Sequence, residues 1–129
     1  MLRRAVQRAG HLQFSGILGD AQRLPFATAS FDAAVLHLIL AVVPEPAACL
    51  AETARVLRSG GRILVLDKFL RPGQPALLRR LANPLARRIA TRLDVVFEEI
   101  LATVPGLQVE KNQPALAGGW FRYITLEKR

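Results

Sequence analysis

Cysteine is almost absent from this chain. Cys49 is the only one in 129 residues, so no internal disulfide can form and a reducing compartment suits it. His11 and His37 are the only histidines and lie far from each other and from Cys49, which is poor material for a zinc site; no metal is expected. Long apolar runs are missing too. The longest uncharged stretch, Ala33 to Pro44, falls short of the roughly 18 residues a membrane span needs, and it contains His37. The amino terminus, MLRRAVQRAGHL, is basic without the apolar core of a signal peptide. A cytoplasmic protein is expected. With one Tyr and one Trp there is little to stack on bases, and nucleic acid is disfavoured as a partner.

What is present argues for a folded chain. Hydrophobic residues make up 51% and charged residues 22%, and 129 residues suit a single domain over 1–129. The formal net charge is +8, which invites an anionic partner. The positive charge is concentrated: from Lys68 through Arg92 there is no acidic residue. Arg79, Arg80, Arg87 and Arg88 stand beside apolar stripes (Leu77, Leu78, Leu81; Leu85, Ile89), a composition that fits either peripheral contact with an anionic membrane or an ordinary solvated helical face.

The order of elements can be read along the chain. Arg3 to Ala9 predicts a short basic helix ended by Gly10, and Leu12 to Leu18 a strand followed by the turn Gly19-Asp20. Asp32 to Leu38 is nearly all apolar, as in a strand buried on both faces of a parallel sheet. Pro44 and Pro46 open a helix whose apolar positions, Ala47, Leu50, Ala51, Ala54 and Leu57, recur at helical spacing; Ser59-Gly60-Gly61 is expected to stop it. Arg62 to Asp67 predicts the next strand, and strand–helix–strand is a parallel crossover. Beyond it come a Pro/Gly loop, two short helices divided at Asn83-Pro84, and a helix from about Asp94 to Ala102. Strands at Leu107 to Glu110 and Trp120 to Leu126 follow, joined by a turn-rich segment from Pro114 to Gly119. The fold class is α/β with a terminal antiparallel hairpin.

GDAQRLPF, then SFDAAVLHLIL, then EPAACLAETARVLRSGGRILVLD, in this order and with these gaps, resembles the second half of class I S-adenosylmethionine-dependent methyltransferases. The similarity is nearest to the group acting on quinones and phospholipids. It covers most of Leu12 to Lys68, and WFRYITLEKR resembles the closing hairpin of that fold. The resemblance implies an incomplete Rossmann-like methyltransferase fold, with S-adenosylmethionine as cofactor and a lipid such as phosphatidylethanolamine, or a quinone, as methyl acceptor. It also implies cofactor-binding roles. Asp20 would accept a hydrogen bond from the adenine amino group, which suits a carboxylate because it only accepts. The backbone N–H of Ala21 would meet a ring nitrogen, and His37 would line the sulfonium side. Taken from the residues alone, Asp20 reads first as a turn former or helix cap, and His37 equally as a buried, satisfied histidine.

No residue is assigned a catalytic role, since methyl transfer from a sulfonium needs mostly alignment. Asp67, ending its strand on the ligand side, is read as an ion pair with Lys68, Asp32 as a turn or cap residue, and Cys49 as core. The family's Gly-rich loop has no counterpart, because no G-x-G occurs in the chain. Two readings therefore stand: a truncated methyltransferase, or a non-catalytic methyltransferase-like fragment that binds a partner. Either leaves the Asp32 to Leu38 strand with an unpaired apolar edge, and a homo-oligomer is expected.

Overall fold

The structure is a computed structural model that describes residues 7, 10, 13–69, 96–116 and 120–129. Pro46 begins the first helix, α1 (Pro46–Val56), where a missing N–H costs nothing. Cys49, Leu50, Thr53 and Ala54 recur on one side and are buried there. Thr53 satisfies its own hydroxyl by donating to the Cys49 carbonyl at 2.8 Å. The helix joins two parallel strands, β1 (Phe31–His37) and β2 (Leu57–Lys68), as the crossover pattern predicts. A short helix, α2 (Phe97–Ala102), leads into an antiparallel pair, β3 (Leu107–Leu116) and β4 (Phe121–Lys128).

The four strands form one mixed sheet in the order β1-β2-β4-β3. Cross-strand rows fix which side chains share a face. Leu36, Val65 and Ile124 form one row, and Ile63 pairs with Leu126 in the next. These five are buried together with Leu50 and Ala54 of α1 and Phe97 and Ile100 of α2, so the core lies between one sheet face and the two helices. Burial of each large aliphatic side chain contributes about 1.5–3 kcal/mol of transfer free energy. The opposite face carries Val35, Leu64 and Thr125 in one row, and His37, Leu66 and Tyr123 in the next; Val35 is 68% exposed.

Several expectations change on this frame. Phe31–His37 is a strand, but it is not buried on both faces: only Leu36 is buried, because among the described residues β1 lies at the end of the sheet and pairs with β2 alone. Residues 13–19 form no strand, since extended backbone becomes one only by pairing and nothing among the described residues pairs with it. Gly60-Gly61 does not stop α1. The helix ends at Val56, where the carbonyls of Arg55 and Val56 accept from Ala29 and Ser30 N–H at 3.0 and 2.8 Å. The glycines sit instead in an irregularity within β2, where the β1 register jumps from Phe31↔Leu57 to Ala33↔Arg62. The described helix near Asp94 begins at Phe97. Pro114 belongs to β3, an edge strand that tolerates proline where the register shifts, rather than to a turn.

The helix predicted at Arg3 to Ala9 (apart from Gln7 and Gly10), the two helices around Asn83-Pro84 and the arginines at 79, 80, 87 and 88 lie outside the described residues.

Gly61 has a steric reason to lack a side chain. A Cβ there would stand 2.8 Å from the Arg58 carbonyl oxygen and 3.0 Å from that of Asp32, both backbone atoms with little freedom to yield. Gly61→Ala is expected to destabilise the fold by about 1–3 kcal/mol, the usual cost of overpacking. A chemical-denaturation midpoint equal to that of the unchanged chain would contradict it.

Candidate functional site

The segment from Asp20 to Ser30 has no helix or strand of its own, so other groups must hold it. Asp20 folds back on itself: Arg23 N–H donates to its carbonyl at 3.0 Å, and its Oδ1 accepts from the Gln22 N–H at 2.8 Å and from Gln22 Nε2 at 3.1 Å. These bonds, the backbone one first, hold the Asp20 carboxyl below its ordinary range. Both fall on Oδ1, and the residue is exposed. Gln22 also reaches the helix start, its Oε1 accepting from the Glu45 N–H at 2.8 Å. That bond ties the turn to the residue just before α1, at the carboxyl end of β1, which is where open parallel sheets take ligands.

The rest of the loop is clamped by two residues of α1, Glu52 and Arg55, which sequence reasoning did not single out. Glu52 Oε2 accepts from the Leu24 N–H at 2.9 Å. Arg55 pairs with both oxygens of Glu52, at 2.8 and 2.9 Å, and donates to the carbonyls of Phe26 at 3.0 Å and Leu24 at 3.1 Å. The guanidinium beside Glu52 lowers that carboxyl from its ordinary value of 4.5. Five donors in a planar fork allow one side chain to bind a carboxylate and two carbonyls at once. The signal was visible as E-x-x-R, an acid and a base three apart on a helix.

His37 ends β1 with its side chain exposed, so it is not the buried, satisfied histidine that composition alone allowed. The chain leaves the strand at Leu38, whose φ of 54° is left-handed and costs a non-glycine residue of the order of 1–3 kcal/mol. Leu38 N–H still donates to the Leu66 carbonyl at 2.9 Å. The following turn is fastened from the neighbouring strand. Asp67, fully buried, accepts from the Ala41 N–H on Oδ2 at 3.2 Å and from the Lys68 N–H on Oδ1 at 2.8 Å. It therefore positions backbone instead of meeting substrate or forming the expected side-chain pair with Lys68; the Lys68 ammonium lies over the Phe121 ring, 5.9 Å from its centroid.

Asp32 makes an exposed ion pair with Arg58 at 2.9 Å, near the amino end of β1 and away from the site. Cys49 is buried in the core as expected, its thiol pushed up to about 11 by burial first and by the Asp20 charge second. No group of three or more metal-binding side chains occurs among the described residues. Among them, too, no helix is long and apolar enough to cross a membrane.

The structure thus brings Asp20, Ala21 and His37 to one end of the parallel pair, on a loop with no regular structure and on a strained strand exit. A family described as "Methyltransferase domain" matches residues 1–65, just over half of the chain. The chain belongs to the methyltransferase family. It is 33% identical over 113 residues to a phosphatidylethanolamine N-methyltransferase of Cereibacter sphaeroides, covering 85% of this chain and 54% of that protein. It is 49% identical over 113 residues to a demethylmenaquinone methyltransferase of Mycobacterium sp. (strain KMS), covering 81% and 48%. The chain spans about half the length of these curated relatives. Among solved structures, a geranyl diphosphate C-methyltransferase of Streptomyces coelicolor A3(2) superposes with a TM-score of 0.73 at 17% identity, over 98% of this chain and 58% of that one. The α/β architecture with its antiparallel tail is therefore the Rossmann-like fold that the sequence resemblance implied.

Asp67 gives this site a pH signature. Burial raises its carboxyl above the ordinary 3.8. Below that value the group is protonated in both the folded and the unfolded chain. As pH rises from there through the raised value, the unfolded chain loses the proton first and stability falls. Asp67→Asn is expected to remove this decline, so that the stability difference between the two proteins changes across that window and is flat above it. Urea midpoints that differ by a constant amount at every pH would contradict the assignment.

Proposed function

We propose that this chain carries the adenine-recognising part of an S-adenosylmethionine-dependent methyltransferase whose acceptor is a lipid such as phosphatidylethanolamine, or a quinone. The observation that carries the reading is the Asp20 turn. Its carboxylate is held by Gln22 through Oδ1 alone, exposed, and anchored to α1 at the ligand end of the sheet. Oδ2 would accept from the exocyclic amino group, the Ala21 N–H would donate to a ring nitrogen, and His37 would stand on the sulfonium side. The names of the curated relatives support the acceptor classes. A cytoplasmic setting agrees with one buried, unreactive thiol.

The fit to the cofactor is one-ended. A buried core and an exposed carboxylate suit adenine, but no G-x-G occurs in the 129 residues to present backbone N–H groups to the methionine carboxylate. When bound, S-adenosylmethionine supplies an electrophilic methyl on sulfur. These residues hold the base and set its orientation, which is how such alignment lowers a transfer barrier.

Recognition restricted to adenine has a distinctive signature. Adenosine and S-adenosylhomocysteine should bind equally weakly, near the millimolar affinity that corresponds to about −4 kcal/mol. Inosine, which offers a carbonyl where adenosine offers an amine, should bind at least about tenfold more weakly, because Asp20 can only accept. Asp20→Ala should abolish the difference between the two nucleosides. NMR-detected titration reads all of these. Equal binding of inosine and adenosine, or micromolar binding of S-adenosylhomocysteine by a verified monomer, would overturn the reading.

A further inference from the structure

Asp20 cannot settle by itself which of its oxygens faces a ligand. Its own turn supplies one donor, the Gln22 N–H at 2.8 Å. A carboxylate held at one point still rotates within the broad, two-fold well of its last torsion. The second donor on Oδ1 is Gln22 Nε2 at 3.1 Å, and it comes from a side chain that is fixed at its other end. There Gln22 Oε1 accepts from the Glu45 N–H at 2.8 Å, across 23 positions of sequence. Glu45 stands between Pro44 and Pro46. Proline has no N–H and a fixed φ, so Glu45 carries the one backbone donor of a stiff three-residue corner. The Glu45 side chain makes no capping bond for α1, and the N–H at the helix start is taken by Gln22 from outside.

The two contacts also fix the orientation of the Gln22 carboxamide. Reversing it would set oxygen against the Asp20 carboxylate and NH2 against the Glu45 N–H, acceptor on acceptor and donor on donor. We propose that Gln22 is a positioning residue for the adenine contact: it joins Asp20 to the start of α1, so that Oδ1 is occupied and Oδ2 is left to accept from the base. Gln22 itself makes no contact with the base. The proposal rests on the adenine reading of the Asp20 turn, and it adds the side chain on which the choice of an amine over a carbonyl depends. The task needs a donor and an acceptor on one uncharged group. An ionised glutamate could still accept from Glu45 but could not donate to Asp20, and a methionine of similar length could do neither.

Gln22→Glu and Gln22→Met in the full chain test the proposal, with adenosine and inosine as probes at neutral pH. The preference for adenosine should fall by about threefold or more in both variants, the worth of one hydrogen bond. Exchange at the Glu45 amide should accelerate in Gln22→Met and stay slow in Gln22→Glu, which separates the tie to the helix from the hold on Asp20. A tie that is merely structural predicts that Gln22→Glu keeps the full preference, and that result overturns the proposal. A second readout needs no ligand. The bonds from Gln22 keep the Asp20 carboxyl below its ordinary 3.8, so NMR titration should find it higher in Gln22→Met. Arg23 and Glu45, which flank the contact, and Cys49, whose thiol feels the Asp20 charge, are the same in the two chains. An Asp20 titration identical in both chains also overturns the proposal. Should the unchanged chain bind the two nucleosides alike, the adenine reading falls, and the titration alone then decides whether Gln22 sets the carboxylate.

Discussion

Arg55 binds Glu52 and two carbonyls of a loop that has no regular structure, and the candidate site depends on that contact. The loop from Asp20 to Ser30 cannot hold itself by a ladder of backbone bonds. It is held by side chains of α1 and, at its far end, by Ala29 and Ser30 donating to the last carbonyls of that helix. One element thus serves twice. Its apolar side builds the core, and its polar side carries the turn that presents Asp20. Because Leu50 and Ala54 pack α1 against the sheet, they also fix where Arg55 reaches, and packing sets the position of the loop that begins at Asp20.

A second fastening acts on the strand side. Asp67 is buried at the end of β2 and binds backbone of the turn that follows β1. A buried carboxylate is tolerated only with such partners, because an ionised group without them would cost far more than the bonds return. The strained φ of Leu38 stands between these anchors. His37 is therefore presented from a corner that is held on both sides, which gives an exposed residue a defined place.

Much of this was legible before the structure. The crossover from β1 through α1 to β2 follows from apolar spacing, and the closing hairpin from β-branched and aromatic runs. The turn at Asp20 follows from Gly19-Asp20. What failed shares one cause: the readings concerned relations between elements. Whether Val35 is buried depends on what lies beside β1, and the run FDAAVLHLIL reads the same in a central strand as in an edge strand. Residues 13–19 have a strand's composition but no strand partner among the described residues. Gly60-Gly61 looked like a helix stop because glycine commonly ends helices, yet α1 is ended by donors from Ala29 and Ser30, while in β2 Gly61 relieves a close backbone contact and Gly60 takes a positive φ. Asp67 beside Lys68 invited an ion pair, while the fold turned its carboxylate inward to amides. The clamp itself was present as E-x-x-R, but its targets lie more than twenty residues away and no local pattern names them.

Amide hydrogen exchange on the Arg55→Ala variant tests the central claim, that α1 side chains hold the loop from Asp20 to Ser30. Exchange at the amides of Leu24, Ala29 and Ser30 should accelerate by about tenfold or more, corresponding to roughly 1.4 kcal/mol of lost local protection. Amides of β2 and β4 in the core should be unchanged, and Arg55→Lys should not restore the loop, because one ammonium cannot span a carboxylate and two carbonyls. Loop amides that exchange at the rate of the unchanged chain would show that the loop is held by something else, and would contradict the account.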